Sequence, residues 1–226
     1  MNPLHFPLAG SERGAFAHDT MAFHLVDHPV IRERLARIRS VDSGTAEFRE
    51  ALHDVSRLLC YEVTRDLETV TIPVTTPLCE TEGHRLARPV VLVPILRAGI
   101  GLLHGFTDIL GEASVGTIGL YRDEKTLAPH RYHFRMPPGL SGAEVILIDP
   151  MLATGGSAAD AIDELKQEGA TRIRFACLIA APEGVAAFTA RHPDVPVYAA
   201  ALDRCLDERA YIVPGLGDAG DRYFGT

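Results

Sequence analysis

The chain has 226 residues, 46% of them apolar and 23% charged, with no tryptophan, a profile of an ordinary globular protein long enough to bury a real core. A net charge of −8 and a pI near 5.7 argue against a surface built for nucleic acid or an anionic membrane. No apolar run reaches the roughly 18 residues needed to cross a bilayer, and the N-terminus lacks the charged-then-apolar pattern of a secretory signal.

Cys60, Cys79, Cys177 and Cys205 form no C-x-x-C pair, so they suggest neither a zinc site nor a disulfide framework. Cys60 and Cys177 lie in apolar runs and read as small buried hydrophobes. A reducing, cytoplasmic location fits this usage.

Residues 1–20 contain Pro3, Pro7, Gly10 and Gly14 without a sustained period. They read as an N-terminal extension, disordered or docked on a neighbouring subunit, ahead of a single domain over 21–226. Val30 to Arg39 reads as a short amphipathic helix and Thr45 to Glu68 as a longer one, with Phe48, Leu52, Val55, Leu59 and Val63 on one stripe. Pro73 and Pro77 break Val70 to Leu78 into edge-strand material. Val90 to Pro94 is a continuous apolar run, as in a strand buried on both faces, and an apolar helix follows through Leu102, Leu103 and Phe106.

Gly116 to Tyr121 is the next strand. The mixed charges of Arg122 to Lys125, with Pro129 beyond them, suggest an exposed, mobile hairpin returning through Tyr132 to Arg135. Val145 to Ile148 is a second fully apolar strand, and a helix runs from Ser157 past Ile162 and Leu165 to a stop at Gly169. Strand Arg172 to Leu178, helix Glu183 to His192 and strand Val195 to Ala201 complete the series. Such alternation predicts an α/β fold with a mostly parallel central sheet flanked by helices. Ligands of such sheets bind at the carboxyl ends of the strands, where Arg97, Arg122 and Asp149 all fall.

Three stretches carry chemistry. The first is Asp149-Pro150-Met151-Leu152-Ala153-Thr154-Gly155-Gly156-Ser157, placed between a buried strand and a helix. Its glycines let successive N–H groups point inward, and the helix start adds partial positive charge, a combination that cradles a phosphate monoester. An acid at the strand end can reach the hydroxyls of an attached ribose. Thr-Gly-Gly-Ser alone fits an ordinary strand-to-helix turn as well as it fits a phosphate site.

The second is Pro94-Ile95-Leu96-Arg97-Ala98-Gly99, where a lone arginine at a strand-to-helix turn suits a polyanion. The third is the tail from Tyr211 to Thr226. Gly215, Gly217 and Gly220 match G-x-G-x-x-G, yet a dinucleotide fingerprint needs a following helix and an acid about 20 residues on, and the chain ends too soon. The glycines instead allow the backbone to curl round a flat ligand.

The first string resembles the loop of type I phosphoribosyltransferases that binds 5-phosphoribosyl 1-diphosphate (PRPP), in the form found in uracil phosphoribosyltransferases. Pro-Ile-Leu-Arg-Ala-Gly resembles that family's diphosphate loop, Tyr-Arg-Asp-Glu-Lys-Thr its closing loop, and Tyr-Ile-Val-Pro-Gly-Leu-Gly-Asp-Ala-Gly-Asp-Arg-Tyr-Phe-Gly-Thr its uracil-recognising C-terminus. The resemblance spans His24 to Thr226. It departs where most relatives carry two adjacent acids and this chain has Asp149 then Pro150, and where many carry Glu at the position of Lys125.

The resemblance implies the type I phosphoribosyltransferase fold with a flexible β-hairpin lid over 122–133 and a small hood from the N-terminal segment and 203–226. It implies Mg²⁺-dependent transfer of phosphoribosyl from PRPP to N1 of uracil, giving UMP and diphosphate. Arg97, Arg122 and Asp218 carry over as catalytic residues. The PRPP contacts are Arg97, Arg122, Asp149, Pro150, Met151, Leu152, Ala153, Thr154, Gly155, Gly156, Ser157 and Asp218. Ile212, Gly217, Asp218 and Ala219 carry over as uracil contacts. With Pro150 where a second acid would stand, Mg²⁺ is expected to arrive bound to PRPP, with no protein ligands of its own. GTP as an effector and a homodimer or homotetramer are further implications; nucleic-acid and membrane partners are not expected. Two rivals stay open: a PRPP- or nucleotide-sensing regulator on the same fold, and a transferase acting on a purine or on orotate. Orotate requires a cation near the base, which Ile212 to Ala219 does not supply.

Overall fold

The computed structural model describes residues 23–122 and 129–226, without the side chains of residues 121, 122 and 129–131. Strand β1 (Phe23–Leu25) leads into helices α1 (Pro29–Arg39) and α2 (Thr45–Val63), then strands β2 (Thr69–Thr75) and β3 (Glu80–Leu86). Next come β4 (Val90–Leu96), α3 (Ile100–Ile109), β5 (Ser114–Val115), β6 (Thr117–Arg122) and β7 (Pro129–Arg135). The second half holds β8 (Glu144–Ile148), β9 (Met151–Leu152), α4 (Gly156–Gln167), β10 (Ile173–Ala180), α5 (Pro182–Arg191) and β11 (Val197–Leu202). The tail adds β12 (Cys205–Leu206), β13 (Ile212–Val213) and α6 (Ala219–Phe224).

The main sheet runs β1-β11-β10-β8-β4-β6-β7, with β5 beside β4 and β9 beside β10. Every pairing in it is parallel except β6 with β7. Both faces are covered, and the alternation of side chains shows it. In β4, Val90 and Leu92 join the core beneath α1, α2 and α3, while Val91, Val93 and Ile95 join the core beneath α4 and α5. In β8, Ile146 and Ile148 face the first core and Val145 and Leu147 the second. Continuous apolar runs are therefore required in both strands. Phe48 and Phe106 on one side and Phe175 and Phe188 on the other are fully buried, each burial favouring the fold by roughly 2–3 kcal/mol.

The predicted α/β alternation is present, with three corrections. Helix α2 ends at Val63 rather than Glu68: the Thr64 hydroxyl donates to Cys60 O at 2.7 Å and the helix closes there. Residues 70–78 do supply an edge strand, but Pro73 does not break it: β2 runs through Pro73 and pairs antiparallel with β3 in a separate two-stranded sheet from Thr69↔Leu86 to Thr75↔Glu80. The last strand of the series starts at Val197, with Pro196 ahead of it supplying a carbonyl to Phe175 N–H at 2.9 Å. The stop after α4 is as expected: Gly169 has φ +90°, and Ala170 N–H reaches back to Leu165 O at 2.9 Å. Cys60 and Cys177 are buried, as their sequence context predicts, and burial pushes the Cys60 thiol up to about 12.

Candidate active site

The parallel sheet brings the ends of β4, β6 and β8 to one edge. After Leu96 the chain turns through Arg97, Ala98 and Gly99 into α3, and the Leu96–Arg97 peptide is cis. Gly99 N–H bonds to Ile95 O at 2.9 Å and Ile100 N–H to Arg97 O at 3.1 Å, closing the turn. Only glycine fits there, since a Cβ at Gly99 would lie 2.5 Å from Ile148 O at the end of β8. The Arg97 turn therefore sits directly against the residue preceding Asp149. Arg97 is exposed, and among the described residues it has no carboxylate partner.

Beyond Ile148 the strand bulges. Asp149 N–H bonds to Ala176 O, Pro150 O accepts from both Leu178 and Ile179 N–H, and pairing with β10 resumes at β9. Asp149 is half-buried. Desolvation pushes its carboxyl up to about 7 against the opposing pull of the Met151 N–H. The next turn delivers Ala153, Thr154 and Gly155 to the start of α4. Gly155 has φ +83°, and a Cβ on it would approach Gly184 O to 2.9 Å. Gly184, in the first turn of α5, is itself locked, because a Cβ there would sit 2.2 Å from Ala153 O. Helix α4 starts with no side-chain cap and no acid in its first turn, so its leading N–H groups and dipole are available to an anion. Gly156 and Ser157 are in that turn.

The tail reaches the same edge. Gly220, in α6, is positioned so that a Cβ would lie 3.8 Å from that of Ala98, and Gly101 of α3 packs against Tyr223. The Arg97 guanidinium lies 5.3 Å from the centre of the Phe224 ring. Ile212 and Ala219 are buried, and Gly217 and Asp218 are exposed. The Asp218 carboxylate accepts from Asp221 N–H at 2.8 Å, capping α6. Arg97, the 149–157 segment and the tail thus converge. Arg122 closes β6, next to β4; its side chain and the closing-loop residues 123–128 lie outside the described residues, as does the extension at 1–20.

Sequence reasoning missed residues that build this edge from behind: Arg39, Asp203 and Arg222, which hold the tail, and Gly184, which seats the 149–157 segment. The first three are charged residues far apart in the chain with no local pattern. Gly184 falls inside the predicted helix Glu183 to His192 with no motif of its own.

The family model for uracil phosphoribosyltransferase matches residues 25–226. A uracil phosphoribosyltransferase of Ligilactobacillus salivarius is 53% identical over 205 residues, covering 90% of this chain and 98% of that one. One from Brucella abortus is 52% identical over 207 residues, covering 91% and 100%. Among solved structures, the AQ2163 protein from Aquifex aeolicus superposes with a TM-score of 0.86 at 33% identity, over 90% of this chain and 98% of that one. An adenine phosphoribosyl transferase of Trypanosoma brucei shares the fold, with a TM-score of 0.56 at 14% identity over 87% of each chain. With the family model matched over residues 25–226 and relatives of about half identity along nearly their whole length, the chain belongs to the uracil phosphoribosyltransferase family.

Proposed function

We propose that the chain transfers the phosphoribosyl group of PRPP to N1 of uracil, giving UMP and diphosphate in pyrimidine salvage. The observation that carries this reading is the convergence, at one sheet edge, of a helix N-terminus without a side-chain cap among the described residues, an acid, an exposed arginine and a glycine-rich tail. In the reaction the bond from C1′ to the diphosphate oxygen breaks and its electron pair leaves with the diphosphate. N1 of uracil forms the new bond to C1′ and gives up its proton.

The residues divide the work. The backbone donors of Thr154 to Ser157 at the start of α4 hold the 5′-phosphate, with Pro150 to Ala153 shaping the turn. Asp149 accepts from the ribose hydroxyls, which replace the water that burial removes from it. Arg97 and Arg122 offset the charge that grows on the diphosphate. Ile212, Gly217, Asp218 and Ala219 present main-chain donors and acceptors to the two carbonyls and the N–H of uracil, and Asp218 also contacts PRPP.

Mg²⁺ supplies charge neutralisation on the diphosphate when bound. Asp149 is followed by Pro150 rather than a second acid, which supports delivery of the ion as Mg-PRPP rather than in a protein cage. The family relationship also supports a homodimer or homotetramer and GTP as an effector; light scattering, and turnover with and without GTP, test both. Four free cysteines support a cytoplasmic location. Conversion of labelled uracil to UMP, dependent on PRPP and abolished by EDTA, tests the activity; no UMP at high enzyme concentration would overturn it.

A further inference from the structure

The base-recognising tail is fastened to the body of the fold by an ion pair that none of the roles above uses. Asp203 follows β11, and its own N–H bonds to Ala180 O at 2.8 Å, so its backbone is fixed to the sheet. Its side chain is 4% exposed. Oδ1 accepts from Arg39 Nη2 at 2.5 Å, and Oδ2 accepts from Arg39 Nη1 at 2.8 Å and from Gly215 N–H at 2.9 Å. The same Arg39 Nη1 donates to Gly215 O at 2.8 Å. Both polar atoms of one glycine are thus held by the two ends of a single salt bridge, one end from α1 and the other from the sheet.

Gly215 cannot slide within this grip. Its φ is +64°, and a Cβ would lie 2.1 Å from Ile212 O, so the turn is closed as tightly as the backbone allows. Downstream, Arg222 donates to Leu216 O at 2.9 Å, to Ser40 O at 2.7 Å and to Ile38 O, which ties the next residue to the end of α1. Gly217 and Asp218 follow immediately and are exposed. They are the part of the loop left to face a ligand, held between Gly215 and Leu216 on one side and α6 on the other.

We propose that Arg39 and Asp203 are positioning residues for base recognition: their grip on Gly215 sets the main-chain geometry that Gly217 to Ala219 present to the base. This rests on the reading that the tail binds uracil. A buried ion pair is weak as a source of net stability, because desolving two charges offsets most of their attraction. Its use here is geometric. Uracil offers acceptor, donor and acceptor along one edge, whereas cytosine reverses two of these, so a main-chain reader must hold its N–H and C=O directions closely to tell them apart.

The test is steady-state kinetics of the full chain, varying uracil at saturating PRPP and PRPP at saturating uracil, with the melting temperature of each variant. Asp203→Asn keeps the shape but turns an amide N–H₂ toward Arg39; Arg39→Gln removes the charge and Arg39→Lys restores it. Loss of a charged hydrogen-bond partner predicts a KM for uracil raised about 10- to 100-fold in Asp203→Asn and Arg39→Gln. KM for PRPP, of which Asp218 is one contact among many, rises several-fold less than KM for uracil, and Arg39→Lys, which keeps the charge but loses the two-pronged fork, recovers part of the uracil KM. Weaker discrimination against cytosine accompanies the loss.

Unchanged uracil KM in folded Asp203→Asn overturns the proposal, as does a rise in both KM values in step with a falling melting temperature. If Asp203→Asn does not fold, equal uracil KM values in Arg39→Gln and Arg39→Lys overturn it. A wild-type protein that makes no UMP overturns the activity itself and the positioning role with it, an outcome distinct from a variant without effect.

Discussion

The guanidinium of Arg97 lies over the ring of Phe224, 5.3 Å from its centre. The contact joins the turn after β4 to the last helix of the chain, and it places a cation without neutralising it. A ring face attracts a guanidinium through its quadrupole while leaving the N–H groups at the edge free to meet oxygens.

Phe224→Ala is expected to lower kcat/KM by about two- to fivefold, the value of an exposed cation–π contact. Phe224→Tyr should restore it. An unchanged kcat/KM in Phe224→Ala would show that the ring does not hold Arg97.

Arg97 itself should matter far more. Removing a preorganised charge from a leaving group costs about 10²–10³ in kcat, so Arg97→Ala is expected to lose that much. Its melting temperature should stay at the wild-type value, because the side chain is exposed and packs on little. Retained kcat/KM would remove Arg97 from the site.

The 149–157 loop depends on a residue outside it. A Cβ at Gly184 meets Ala153 O at 2.2 Å and Leu152 O at 2.7 Å, both backbone atoms with no side chain to swing aside. Overpacking of this kind costs about 1–3 kcal/mol, so Gly184→Ala should melt about 3–10 °C lower. Because Ala153 leads into the α4 N-terminus, its KM for PRPP should rise more than its KM for uracil. Equal effects on the two substrates would show that the clash is absorbed elsewhere.

Part of this was readable from the sequence for a physical reason. Strands buried on both faces show unbroken apolar runs, so β4 and β8 announce themselves, and the 149–157 string and the tail are short and contiguous. The β2–β3 hairpin was only half visible: β3, Glu80 to Leu86, is exposed along nearly all its length and has no apolar face to mark it. The Arg39–Asp203 pair was invisible. Its partners look like surface charges until the sheet and α1 bring them together around Gly215.

Asp149 makes a pH prediction. Its carboxyl is raised from 3.8 to about 7 by burial, so the protonated form is the one the fold favours. Its contribution to stability is fully present below the unfolded value near 3.8 and is lost as pH rises through about 7, a difference of at most about 4 kcal/mol. Asp149→Asn should therefore melt above the wild type at pH 8, with the gap closing toward pH 4. Ribose hydroxyls donate to the ionised form, so PRPP should bind the wild type more tightly at pH 8 than at pH 6, and Asp149→Asn should lose that dependence. A gap in melting temperature independent of pH would mean that Asp149 ionises as an ordinary carboxylate.

The central claim is that one edge of the sheet joins PRPP to uracil. Its most direct test is the initial rate of nucleotide formation from PRPP and Mg²⁺ with uracil, cytosine, orotate, hypoxanthine and adenine in parallel. UMP from uracil alone is the predicted result. PRPP binding without turnover on any base, or turnover of orotate or a purine in place of uracil, would contradict it.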